Sequence, residues 1–349
     1  MSEHHDLGFS VREAIADDAV RIDDFVRAHP DGSPFHLTGW GRAVEAACGQ
    51  RARILIAEDG EGVLVGVLPL TEIRHFLFGN ALAASGFAVG GGVLAVSGLA
   101  EKQLIEASVA LAAGAGIESI ELRGGPLPDG WHVDAGTYLG FARDLAADDE
   151  AELLAIPRKQ RAELRKALGF GLTVETGTAR IDRDTHYAVY AESVRNLGTP
   201  VFPKKLFAAV LDEFGDAADI LTIRHQGRPI ASVLSLYWNG VVMPYWGGGT
   251  ADARTWRAND LMYYALMCHA RANKGARRFD FGRSKAGTGP AAFKKNWGFE
   301  AVPLSYAKYG AVRDINPLSP KYRMQIALWQ KLPLWCANLV GPILSRGLG

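Results

Sequence analysis

"ILIAEDGEGVLVGVLPL", residues 54–70, aligns without a gap to "ILTIRHQGRPIASVLSL", residues 220–236, with Ile-Leu at the start and Val-Leu-x-Leu at the end of each. In both, apolar and β-branched runs flank a short polar turn, at Asp59-Gly60 and at Gln226-Gly227, so each copy reads as a β-hairpin. A further apolar strand and a glycine triplet follow, Gly90 to Gly92 in the first copy and Gly247 to Gly249 in the second. Next come "EKQLIEASVALAAGAG" and "NDLMYYALMCHARANKG", with Leu104, Ser108 and Leu111 in one and Leu261, Ala265 and Cys268 in the other at helical spacing. Glycines end both helices, and each leads into a short strand, "IESIELRG" or "ARRFDFGR". The unit is a hairpin, a third strand, a right-handed helical crossover and a parallel fourth strand, met twice roughly 160 residues apart.

The fold class expected from this repeat is α/β, with two tandem domains, each a mixed sheet flanked by helices. A chain of 349 residues also exceeds the roughly 250 to 300 residues at which one hydrophobic core stops growing. The boundary is expected between Ala146 and Ala151, where "LAADDEAELLAIPRKQRAELRKAL" begins a linking helix over about 148–168. The domains are then 1–147 and 148–312, with a helical tail over 313–349.

Overall charge points to no polyanionic partner, because Lys plus Arg and Asp plus Glu both number 38. Hydrophobic content of 48% is that of a chain with a full core. The three cysteines, Cys48, Cys268 and Cys336, are far apart and form no CxxC pair, which fits a reducing compartment. "MSEHHDLGFS" lacks the basic start and apolar run of a signal peptide, so a cytoplasmic location is expected. The nine histidines include no HxxxH or HxH spacing, so no metal is expected; His36, His186 and His225 read as structural or surface groups.

Against that neutral background "FDFGRSKAGTGPAAFKKNWGF", Phe279 to Phe299, carries Arg283, Lys285, Lys294 and Lys295 between Gly282 and Gly298 with no carboxylate among them. Pro290 suits the first turn of a helix and Gly298 its end, so a short helix should present free N–H groups to the glycine-rich turn. Such a place favours phosphate or a developing oxyanion. A Walker A loop is excluded, since Gly287 is followed by Thr288 and not by Lys. The competing reading is a solvated basic helix face. Phe293 and Trp297, one turn apart, read as core anchors. Asp280 alternates with Phe279 and Phe281, which leaves it free to accept a proton or to pair with Arg278. Cys268 reads as an inert core residue. Ser284 lies in "GRSKAG", outside any GxSxG elbow, and no covalent nucleophile is expected.

The repeated unit resembles the GNAT acyltransferase fold, and its tandem use resembles the Fem (FemAB-like) family of aminoacyl transferases that build peptidoglycan cross-bridges. "GTPVFPKKLF", "PIASVLSLYW", "YWGGGT", "ARRFDFGRSKAGTG" and "AAFKKNWGF" in the second copy, with "SPFHLTGW" and "GVLPL" in the first, are similar to Fem-related proteins of bacterial exosortase (PEP-CTERM) and exopolysaccharide systems. The resemblance implies that the activated acyl group lies where the third and fourth strands splay apart, beside Tyr245, Trp246 and Asp280. It implies that Lys294, in the "FK" element, stabilises charge during transfer, with Lys295 as rival. The expected catalytic pair is Lys294 and Asp280, and the expected substrate contacts are Arg283, Ser284, Lys285, Lys295, Tyr245, Trp246 and Asn259.

The implied function is acyl or aminoacyl transfer to an amine or hydroxyl of a cell-envelope or exopolysaccharide precursor, without a covalent intermediate. The alternative is a catalytically silent module that binds an anion or nucleotide in such a system. No prosthetic group is expected, only an acyl donor as co-substrate, aminoacyl-tRNA or acyl-CoA. Neither is favoured, because no sustained heptads offer a tRNA-handling arm and "TWRAND" replaces the usual pyrophosphate loop. Arg158, Lys159, Arg161, Arg165 and Lys166 on the linking helix, against Glu163 alone, are a candidate tRNA contact or a solvated face. The acceptor class is a phosphate-bearing small molecule or lipid-linked glycan precursor. The tail "QIALWQKLPLWCANLVGPILSRGLG" is too short and interrupted to span a bilayer. It is expected to pack on the second domain or to lie at the inner membrane surface.

Overall fold

The computed structural model describes residues 9–311 and 323–349 and divides them into two compact units. Of the described residues, unit 1 comprises 9–135, 305–311 and 346–349, and unit 2 comprises 136–304 and 323–345. The units first divide between Ala135 and Gly136, ahead of the Ala146 to Ala151 stretch where the boundary is expected. The reason is a pair of strands that leave the first repeat in sequence but belong to unit 2, β7 (His132–Gly140) for most of its length and β8 (Ala142–Asp144) entirely.

Unit 1 is built from β1 (Ser10–Glu13), α1 (Ala19–Ala28), α2 (Thr38–Cys48), β2 (Arg51–Glu58), β3 (Leu64–His75), β4 (Gly79–Ala84), β5 (Leu94–Ala95), α3 (Gly98–Gly114) and β6 (Ser119–Arg123). The expected hairpin is β2–β3, in antiparallel register from Arg51↔Glu72 to Glu58↔Leu64. Its turn centres on Asp59, whose carboxylate accepts the N–H groups of Glu61 and Val63. α3 then crosses over so that β6 pairs parallel to β4 at Leu82↔Ile120. The first glycine triplet lies in the loop between β4 and β5, not on the third strand. Leu55, Leu68, Leu82, Leu104, Ile120 and Leu122 form the core between sheet and α3.

Unit 2 continues with α4 (Asp149–Ala155), α5 (Arg158–Leu168), β9 (Thr173–Gly177), α6 (Arg180–Leu197), α7 (Lys204–Phe214), β10 (Ala218–His225), β11 (Arg228–Trp238), β12 (Val241–Gly249), α8 (Ala258–Lys274), β13 (Arg278–Asp280), β14 (Ser284–Lys285) and α9 (Gly289–Asn296). The expected single linking helix is two, α4 and α5, because Pro157 cannot donate a helical hydrogen bond and holds Ile156 extended. A six-stranded sheet runs β8-β13-β12-β11-β10-β9. The β10–β11 hairpin turns at Gln226 and Gly227, both in the left-handed region (φ +51° and +78°), as a tight turn between twisted strands requires. Here the glycine triplet ends β12, paired with Ala231 to Val233. A β-carbon on Gly248 would fall 2.3 Å from Ser193 Oγ, and one on Gly249 would fall 2.7 Å from Asn259 Oδ1, so the triplet lets α6 and α8 sit directly on the strand.

After β15 (Val302–Gly310), whose residues Tyr306 to Gly310 complete the sheet of unit 1 against β6, the chain ends in α10 (Arg323–Lys331) and α11 (Leu334–Ser345). Among the described residues, no helix is long and apolar enough to cross a membrane.

Candidate active site

In unit 2, β12 and β13 pair in parallel only at Val241↔Arg278 and Val242↔Phe279, and beyond these residues they part. A β-bulge sits at the parting. Leu234 of β11 faces Trp246 and Ser235 faces Pro244, which leaves Tyr245 as the extra residue of β12. Pro244 has no N–H to give a ladder, so it belongs at such a break. Tyr263 of α8 reaches into the gap, its ring packed on Phe281 at 4.6 Å and its hydroxyl beside Gly247.

The other wall is the cationic stretch itself. After Asp280 the backbone turns through Gly282 (φ +70°) and runs along the 137–144 segment. Phe281 N donates to Phe141 O at 2.7 Å, Ser284 and Lys285 pair with Leu139 and Tyr138, and Ala286 N donates to Thr137 O at 3.0 Å. On the same segment Asp280 faces Ala142. Residues 278–286 of the stretch are therefore held by β7 and β8.

α9 follows with Pro290 in its first turn and Gly298, at φ +84°, past its end, as the sequence suggested. Ala291, Lys294 and Trp297 line its inner face, and Lys295 is exposed. The helix phase thus separates the two rival lysines. Lys294 Nζ donates to Gly282 O at 3.0 Å and to Arg283 O at 3.1 Å, and it lies over the rings of Phe281 and Phe141 at 5.3 and 5.4 Å. An ammonium carries three protons, so one donor remains. Burial pulls its pKa down to about 8, against the opposing influence of Asp280. Burial likewise raises the pKa of Asp280, which accepts Gly282 N at 2.8 Å. The site is a desolvated acid and a desolvated base facing one glycine turn, the kind of environment in which proton affinities move toward neutrality.

The other expected contacts divide. Arg283 stacks on Tyr138 at 4.5 Å, and Ser284 is buried in the short β14 ladder. Tyr245 is half-buried at the bulge. Trp246 is a correction: at 4% exposure it packs edge-on against Phe207 at 4.9 Å and belongs to the core under α7. The bulge breaks the strand alternation here, and the Tyr245 ring packs edge-on against Trp246 at 4.8 Å, so Trp246 supports Tyr245 from the core side. Asn259 is half-buried with Oδ1 unpartnered against Gly249. Arg278 pairs with Asp144 at 2.8 Å and not with Asp280. Cys268 is half-buried beside Tyr264 and Asp149, its thiol pushed up to about 12 by burial. On α5, Arg158, Lys159, Arg165 and Lys166 are exposed, and Glu163 holds Lys166 and Arg257.

Sequence reasoning missed a buried polar group behind this wall. Asp260 accepts Gln160 Nε2 and is pushed up to about 6 by burial, with the indole of Trp297 close enough to temper the shift. The adjacent acid in "RAND" was the available signal. A second buried chain runs Thr222 Oγ1, Ser232 Oγ, His186 Nδ1, each step 3.0 Å. Both Ser232 and His186 are 0% exposed, and burial drives His186 down to about 3, so this Ser–His pair is closed to any substrate. Among the described residues, no cluster of three His, Cys, Asp or Glu is placed to hold a metal.

Residues 156–295 match the family model described as an acetyltransferase (GNAT) domain. No protein of curated function shows significant sequence similarity to the chain. Among solved structures, FemX superposes with a TM-score of 0.65 at 16% identity, covering 86% of this chain and 97% of its own. The C-terminal domain (DUF2156) of a candidate lysylphosphatidylglycerol synthetase from Agrobacterium fabrum gives 0.58 at 16% identity, over 85% and 93%. A tandem GNAT protein from the clavulanic acid biosynthesis pathway gives 0.56 at 14%, over 87% and 99%. At these identities the likeness is one of fold. The bulged, parting strands and the helical crossover of unit 2 agree with the match of residues 156–295 to an acetyltransferase (GNAT) domain model.

Proposed function

We propose that unit 2 is an acyl or aminoacyl transferase whose reaction occurs where β12 and β13 part. The observation that carries this reading is the buried Lys294 ammonium, set on the Gly282 turn next to Asp280 at the opening where the bulge separates the strands. An acceptor amine or hydroxyl attacks the carbonyl of an activated ester or thioester. A new C–N or C–O bond forms, the old C–O or C–S bond breaks, and the acceptor's proton passes to Asp280 and on to the leaving group. The remaining N–H of Lys294 is the donor for the oxyanion. Arg283 and Lys285 hold phosphate on the donor or acceptor. Lys295, Ser284 and Asn259 are peripheral to the transfer, and Tyr245 and Tyr263 line the acyl path.

The Fem-like motifs support an aminoacyl donor and an acceptor in envelope or exopolysaccharide synthesis, and so does the lysylphosphatidylglycerol synthetase likeness. The GNAT domain match supports acyl-CoA. A second reading, anion binding without transfer, draws support from the two hydrogen bonds that Lys294 already makes to backbone carbonyls. Purified full-length protein incubated with radiolabelled acyl-CoA or aminoacyl-tRNA and with lipid-linked or nucleotide-linked glycan acceptors separates the two. Label transferred to an acceptor supports the transferase. Donor or acceptor bound tightly with no transfer under any pairing supports the silent module.

A further inference from the structure

The last two helices present apolar side chains on both sides. In α11, Ala337, Gly341 and Ser345 recur every fourth residue on the inner face, and a β-carbon on Gly341 would meet Val201 at 3.0 Å. Trp335, Leu339 and Ile343, on the same spacing, face outward at 70%, 67% and 50% exposure, with Val340 beside them. In α10, Met324 and Leu328 stand one turn apart at 81% and 66% exposure. α10 is pinned to α6, since Arg195 Nη1 donates to Gln330 O at 3.0 Å and Gln330 Nε2 donates to Asn196 O at 3.1 Å. Leu197, exposed at the end of α6, lies next to this anchor.

A helix on an aqueous surface ordinarily turns a polar face outward, and a contiguous apolar face marks contact with something apolar. The charge of the segment indicates what. Beyond Asp314 the sequence has Lys321, Arg323, Lys331 and Arg346 and no acid at all, in a chain whose acids and bases are equal in number overall. An apolar face with an exposed tryptophan, on a segment whose charged side chains are all basic in sequence and whose Lys331 is exposed, complements an anionic bilayer surface. Spanning is excluded by length: the 12 residues of α11 extend about 18 Å, against a hydrocarbon core of about 30 Å.

We propose that the outward face of α10 and α11 docks unit 2 on an anionic phospholipid surface, with Trp335, Leu339 and Ile343 entering the headgroup boundary. The proposal does not depend on the transferase reading. Its test is flotation of the full-length protein with vesicles of pure phosphatidylcholine and of phosphatidylcholine containing 30% phosphatidylglycerol, an order-of-magnitude anionic content for such assays. The expected result is flotation with the anionic vesicles, weakened by salt and reduced at least tenfold by Leu339→Glu or Trp335→Glu. These positions are exposed, so unchanged circular dichroism and melting temperature are expected. Met324→Glu provides an independent variant on the other helix. Absence of flotation with either vesicle overturns the proposal, as does wild-type flotation of the folded glutamate variants. A wild-type dimer that Leu339→Glu converts to monomer, without vesicle binding, also overturns it and assigns the face to a second copy of the chain.

Discussion

Lys294 Nζ donates to the carbonyl oxygen of Gly282 at 3.0 Å from a site that is 9% exposed, so a buried ammonium braces the turn that separates Asp280 from β14. Its folded pKa is about 8 and its ordinary value 10.5, with burial the main cause. Between those values the unfolded chain binds more protons than the folded one, so this group makes stability rise as pH increases through 8 toward 10.5. Below pH 8 the penalty of the buried charge is fully present. Urea titrations at pH 7 and pH 10 should show the wild type gaining on Lys294→Met by up to about 3 kcal/mol. A gap that does not change with pH contradicts the account of this lysine.

Asp260 is a mirror case on the acid side. Burial raises its carboxyl to about 6 from an ordinary 3.8, so both states are protonated below pH 4 and the folded state resists ionisation as pH rises to 6. The wild type should lose stability across that window, and Asp260→Asn, which keeps an oxygen for Gln160, should not. At pH 7 the variant is expected to be more stable, by at most about 3 kcal/mol. Equal pH dependence of the two proteins contradicts this assignment.

Arg283 stacks on Tyr138 at 4.5 Å, and the role proposed for it is to hold a group that is already charged in the ground state. Arg283→Ala should weaken binding of a phosphate-bearing donor or acceptor about tenfold or more while changing kcat less. Calorimetry for binding and steady-state kinetics for turnover measure the two effects separately. A fall in kcat with unchanged affinity assigns Arg283 to the transition state instead.

Gly248→Ala tests the close approach of α6 to the bulged strand. Its β-carbon would meet Ser193 Oγ at 2.3 Å and Ser193 Cβ at 2.6 Å, so a loss of about 1 to 3 kcal/mol is expected. Ser193→Gly in the same protein should recover part of it. A neutral Gly248→Ala shows that the helix stands off the strand.

The repeat made both hairpins, both crossover helices and the parallel fourth strands legible, because each depends on periodicity within a window of the chain. What escaped depends on pairing across the chain. β8 is three residues long, and nothing in "ARD" announces that it will hold β13. In the site, the α9 anchors Phe293 and Trp297 were readable, and they fix the phase that turns Lys294 inward and Lys295 outward. The bulge at Tyr245 had a sequence signal in Pro244, which cannot continue a central ladder. Trp246 came with the resemblance, and its burial against Phe207 depends on α7 packing over the strand, which no pattern within "YWGGGT" shows.

The most direct test of the transfer site compares Lys294→Met with Lys295→Met in single-turnover acyl transfer, using a donor and acceptor shown to react with the wild type. Lys294 is buried against the Gly282 turn and Lys295 is exposed. The account predicts that Lys294→Met slows transfer about a hundred- to thousandfold with the fold intact, the cost of one lost oxyanion donor, and that Lys295→Met stays within about twofold of wild type. Wild-type transfer by a folded Lys294→Met protein would contradict it and leave Lys294 as a brace for the turn alone.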